Sequence, residues 1–82
     1  MIMTAEIVQI ERRYIIVEAE DENTFGKYQV NIDDSITKYF DKENNEISKK
    51  ALKEGDKVEI TYNGQVTRSL PPQIFGQIIK LK

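Results

Sequence analysis

Oxygen-bearing side chains spaced two apart are the first feature of this chain that could carry chemistry: Asp41, Glu43 and Asn45 stand as ligands do at the opening of a calcium loop. Such a loop needs a glycine at its sixth position and an acid at its twelfth, and those positions hold Glu46 and Leu52. The calcium reading fails. A looser set, Asp33, Asp34 and Asp41, reads as solvated turn residues whose side chains hydrogen-bond nearby backbone. Ser69 has no histidine in the chain to act as its base, and activation by Lys57 or Lys80 would need a geometry that no motif supports. Paired carboxylates cleave a glycosidic bond only when they face each other across a cleft, about 5 Å or about 6.5 to 9.5 Å apart. The acids here fall in turns and on outward strand positions instead. No catalytic residue, metal ligand or cofactor is expected.

Binding chemistry has better candidates. Arg12, Arg13 and Arg68 could follow phosphates while Tyr14, Tyr28 and Tyr62 stack on bases, as in single-stranded nucleic-acid binders. Tyr28 and Tyr62, however, are in phase with Val30 and Val58, which assigns them to a core. Residues 69–73 could form an exposed polyproline-like rim for a protein partner, or simply a rigid connection. The candidate binding surface is therefore Arg12, Arg13, Arg68, Tyr14, Ser69, Pro71, Pro72 and Gln73.

Composition narrows the field. At 82 residues the chain is one domain, spanning residues 1–82, with a single modest core. It is 39% hydrophobic and 32% charged, and no window approaches the roughly 20 apolar residues that cross a bilayer. Without cysteine there are no disulfides, iron–sulfur ligands or thiolate nucleophiles. Without histidine the commonest metal ligand is missing. Twelve basic residues against 14 acidic ones give a net charge of -2, so nucleic acid or anionic lipid would have to be held by a local patch. The start, Met1-Ile2-Met3-Thr4-Ala5, lacks the basic and apolar regions of a signal peptide, which fits a cytoplasmic protein or a mature exported domain.

Strand patterns must position these residues. Residues 4–10 read as a first strand whose alternation slips phase at Ile7-Val8, as at a β-bulge. Glu11-Arg12-Arg13 turns the chain into a β-branched run over residues 14–19, which pairs back on the first strand. Residues 20–26 break the pattern, and Tyr28, Val30 and Ile32 then alternate with Lys27, Gln29 and Asn31. Residues 36–40 are extended and reach a turn-rich stretch at 41–46 before Ile47. Ser48 predicts an N-cap for one helical turn through residues 49–52, stopped by Glu54-Gly55 and anchored by Leu52. Val58, Ile60 and Tyr62 alternate with polar neighbours, and Asn63-Gly64 predicts a type I′ hairpin into a strand over residues 65–69. Leu70-Pro71-Pro72 must leave the sheet, and residues 74–81 form the last strand, with Gly76 at a bulge or a close backbone approach.

The central Ile32-Asp33-Asp34-Ser35, then Leu52, Gly55-Asp56, Val58, Tyr62, Gly64 and the run Ser69-Leu70-Pro71-Pro72-Gln73-Ile74, resemble the YobA-like family of uncharacterised bacterial domains over nearly the whole chain. The order Gly-Asp, Val, Tyr-x-Gly, Ser-x-Pro-x-Gln is the most specific part. The resemblance implies a small β domain, often carried on exported lipoproteins, with no established activity and no catalytic residues to carry over. This chain lacks the signal segment and lipobox cysteine of exported members. The expected fold is all-β: a five- to six-stranded antiparallel barrel of the oligonucleotide/oligosaccharide-binding (OB) type with one short helical turn. The expected function is a non-enzymatic interaction or ligand-binding module for protein or glycan; the alternative is a single-stranded nucleic-acid binder.

Overall fold

The phase slip at Ile7-Val8 is a β-bulge. In the computed structural model, which describes residues 1–21 and 26–82, β1 (Ile2–Ile10) pairs antiparallel with β2 (Tyr14–Ala19), and the register jumps between Ile7↔Val17 and Gln9↔Ile16. Met3, Ala5 and Ile7 face the core before the bulge, and Ile10 packs on the core after it. One extra residue thus turns the strand's inward side from odd to even positions. The two-residue-period strand β3 (Gly26–Asn31) follows, paired antiparallel with β2. The expected turn over residues 20–26 lies mostly outside the described residues.

The remaining strands are β4 (Lys38–Phe40), β5 (Glu46–Ile47), β6 (Lys57–Thr61), β7 (Gln73–Phe75) and β8 (Ile78–Leu81). Among the described residues they form one eight-stranded sheet in the order β5-β4-β8-β6-β1-β2-β3-β7. A lone sheet buries a face only by curling around it. Ile15, Val17, Val30, Val58, Ile60, Ile74 and Ile79 line that inner face, with Ile32, Tyr39, Leu52 and Tyr62 packed among them.

This corrects the expected barrel in three respects. The sheet is open, since its edge strands β5 and β7 do not pair with each other; it has eight strands; and it is mixed, because β7 runs parallel to β3 and β4 parallel to β8. Gly76 explains much of the difference. The expected last strand is broken there, so that residues 73–75 pair with β3 while residues 78–81 lie between β4 and β6. Gly76 is buried, and a Cβ at this position would lie 2.8 Å from Val30 Cγ1, so only glycine passes without displacing the core. Thr37, itself buried, donates to the Gly76 carbonyl at 2.7 Å and pins the crossing from the other side.

The expected hairpin at Asn63-Gly64 does not form. A type I′ turn needs two residues at positive φ, and here Gly64 alone has it, at 92°. The Asn63 side-chain oxygen instead accepts from the Gln65 amide at 2.9 Å, an Asx turn that leads the chain out of the sheet. Residues 65–69 form no strand, and β6 pairs with β1 and β8. A hairpin does form at residues 41–45, where Asp41 accepts from the amides of Glu43 and Asn45, both at 2.9 Å, and Asn44 takes φ 69°. Ser48 caps a single 3-10 turn, Lys49–Ala51, by accepting from the Lys50 amide, and Leu52 beyond it is buried.

Candidate binding face

Cross-strand register determines which side chains share the outer face of β1, β2, β3 and β7. Tyr14 lies opposite Asn31, and Asn31 opposite Phe75. In the adjacent row Gln9 lies opposite Ile16, Ile16 opposite Gln29, and Gln29 opposite Gln73. Their neighbours Ile15, Val17, Val30 and Ile74 point into the core, so alternation turns these seven outward. None of the seven carries a charge.

The carboxamides on this face are bonded to each other. Gln29 Nε2 donates to Asn31 Oδ1 at 2.9 Å, and Asn31 Nδ2 donates to Gln73 Oε1 at 3.0 Å. The relay holds three side chains in one orientation and leaves the Gln73 amide nitrogen without a partner among the described residues. Beside it lies a concavity of about 170 Å³ between Asn31, Gln73 and Phe75 on the sheet and Asn63, Gln65 and Thr67 on the facing loop.

That loop is closed on itself. The Thr67 amide donates to the Gln73 carbonyl, and the Gln73 amide donates back to Thr67 Oγ1, both at 3.0 Å. The Thr67 hydroxyl meets Ser69 Oγ at 2.7 Å, and Ser69 donates to the Pro71 carbonyl at 2.8 Å. The expected polyproline-like rim is thus folded into a loop, because its hydroxyls and carbonyls bond one another. The Ser69 proton is committed to a backbone carbonyl. Pro72 offers its own carbonyl to the Gln29 amide at 2.9 Å, and its position just ahead of β7 agrees with a missing ladder donor.

A second concavity, about 380 Å³, lies between Arg12 and Arg13 on the β1–β2 turn and Asp33, Asp34 and Ser35 on the loop after β3. Lys49 braces the turn by donating to the carbonyls of Glu11 and Arg12. The two guanidinium groups form no ion pair among the described residues. Asp33 accepts from the Ser35 hydroxyl at 2.6 Å and the Ser35 amide at 2.9 Å, and these bonds hold its carboxyl below the usual range. The cleft therefore has both signs of charge.

Of the sequence candidates, the structure brings Tyr14 and Gln73 to one face, puts Arg12 and Arg13 in the neighbouring cleft, and leaves Arg68 exposed on the loop outside both. Ser69, Pro71 and Pro72 shape the loop. Tyr62 is 4% exposed, and the half-buried Tyr28 packs on the core side of β3, so both turn away from this face. Gln29, Asn31, Asn63, Gln65 and Phe75 were not among the candidates. Their signal was the outward carboxamide at every second position of β3, Gln29 then Asn31. Compared with known protein families, curated proteins and solved structures, the chain finds no match.

Proposed function

We propose that the chain is a non-enzymatic ligand-binding module of the YobA-like kind, and that its ligand seats on the outer face of β2, β3 and β7. One observation carries this reading: three carboxamides, Gln29, Asn31 and Gln73, are fixed by their own hydrogen bonds beside a concavity and keep donors and acceptors to spare. Polar groups held in advance lose little entropy when a ligand arrives. Five of the chain's ten Asn and Gln residues, Gln29, Asn31, Asn63, Gln65 and Gln73, gather at this place. The resemblance to YobA-like domains, which have no established activity, is in keeping with a module that binds and does not turn over.

Single-stranded nucleic acid is the second reading, favoured by the guanidinium groups of Arg12 and Arg13, which have no ion pair among the described residues, next to Tyr14. Asp33 and Asp34 in the same cleft and the net charge of -2 weigh against it. Amide and side-chain NMR spectra recorded during titration with a mixed-sequence oligonucleotide, at low and physiological salt, test the two. The binding-face reading expects no saturable response at Arg12 and Arg13. Saturable shifts there that weaken steeply with salt would replace it with the nucleic-acid reading.

A further inference from the structure

We infer that the ligand of this face is a neutral carbohydrate, with one sugar ring seated over Asn31 between Tyr14 and Phe75. The assignment rests on the binding-module reading and names the ligand class for it. Tyr14, Asn31 and Phe75 occupy one row across three neighbouring strands. Adjacent strands are about 4.8 Å apart, which separates the two aromatic residues by about 10 Å with the carboxamide midway. A pyranose offers polarised C–H groups on its faces and hydroxyls around its rim. The negative face of an aromatic ring attracts the former, and a carboxamide, which both donates and accepts, suits the latter.

Charge selects against the other ligands. In a chain that is 32% charged, the two outward rows and the loop facing them, Asn63, Gln65 and Thr67, contain no ionisable group except the Tyr14 phenol. Within these rows a phosphate or carboxylate ligand finds no cation and an ammonium no carboxylate; the first charges of this face, Glu18 opposite Lys27, stand one row beyond Ile16 and Gln29. Strand addition by a peptide is disfavoured as well. It would need the free backbone edge of β7, which Thr67 already occupies at both the amide and the carbonyl of Gln73. The concavity of about 170 Å³, which Asn31 and Phe75 border and Tyr14 does not, is below the roughly 300 Å³ at which sites for drug-sized ligands begin, a size suited to a neighbouring ring of a longer chain.

The test is a titration of the isotope-labelled chain with cellohexaose, maltohexaose and hexa-N-acetylchitohexaose, each up to about 10 mM, which reaches weak sites. The expected result is saturable movement, with at least one of them, of the side-chain amide signals of Asn31 and Gln73 and the ring signals of Tyr14 and Phe75, unchanged by salt. Tyr14→Ala and Phe75→Ala should each weaken binding about tenfold. Gln73→Glu, which keeps the size of the side chain and serves as a folded control through its amide spectrum, should do the same. Arg68→Ser should leave binding unchanged. Silence with all three sugars overturns the carbohydrate assignment. A response to an uncharged peptide pool at these same signals, with none to sugars, overturns it while leaving the binding-face reading in place. Movement confined to Arg12 and Arg13 on adding oligonucleotide overturns both.

Discussion

Asn31 Nδ2 donates to Gln73 Oε1 at 3.0 Å, joining β3 to the parallel edge strand β7 across 42 residues of sequence. A neutral hydrogen bond at a partly buried site contributes about 0.5 to 1.5 kcal/mol, and removing either partner strands the other. Urea denaturation of Asn31→Ala, Gln73→Ala and the double variant should give a coupling energy of about 0.5 to 1 kcal/mol. Additive single effects would mean that the relay does not hold the face together.

Tyr39 is the place where high pH should act. Its ring is 7% exposed and its hydroxyl finds no partner among the described residues. Burial, with a smaller contribution from the charge of Asp34, pushes its pKa up to about 12. The unfolded chain ionises this phenol near 10, so stability is whole below about pH 10 and falls as pH rises toward about 12. Tyr39→Phe should reduce the loss at high pH and leave the part that comes from Tyr62 and Lys57, whose pKa values are also raised, by burial and by hydrogen bonds to Glu20 and Glu6 respectively. Below pH 10 it should be as stable as the parent or more stable by about 1 kcal/mol, because the ring stays and an unbonded hydroxyl goes. Denaturant melts of both proteins across this range decide the matter.

Gly76→Ala tests the crossing between β7 and β8. The new methyl group would meet Val30 Cγ1 at 2.8 Å, and Val30 is fully buried on a short, stiff side chain. Relief requires moving β7 or β3, at a cost of about 1 to 3 kcal/mol. The displacement should also shift the side-chain amide signals of Asn31 and Gln73, which a purely local strain would leave in place.

Acid should loosen two loops. Asp41 is held below its usual pKa chiefly by the amide of Asn45, and Asp33 chiefly by the hydroxyl of Ser35. Both loops favour the charged carboxylate, so their stabilisation is present above the ordinary value of 3.8 and is lost as pH falls below it. Asp41→Asn keeps an acceptor oxygen for the loop amides and removes the titration. Thermal melts should therefore show the variant somewhat less stable than the parent at neutral pH, where the charged carboxylate is lost, and a smaller acid-induced drop for the variant than for the parent.

Elements whose cause is local were legible from residues alone. The bulge at Ile7-Val8, the strands on either side of Arg12-Arg13 and the Ser48 cap all follow from period, β-branching or a capping side chain within a few positions. Asn63-Gly64 misled because the dipeptide permits two turns, and the Asn63 side chain took the one that satisfies the Gln65 amide. Parallel pairing of β3 with β7 has no local signature, since it joins Gln29–Asn31 to residues more than 40 positions away. The candidate face depended on that pairing. Tyr14 and Gln73 could each be singled out by residue type, but only the register puts Asn31 and Phe75 beside them.

The strand order also governs how this protein is made. Residues 73–81 pair with β3 on one side of the curl and with β4 and β6 on the other. At a synthesis rate of about 5 to 20 residues per second, β3 can pair with β2 and β6 with β1, but each keeps one backbone edge open until these partners arrive. Pairing between distant segments places folding in the millisecond-to-second range of non-local β proteins. The nascent chain is therefore most prone to aggregation just before Gln73–Phe75 and Ile78–Leu81 emerge, and the same short segment that completes the candidate binding face ends that exposure.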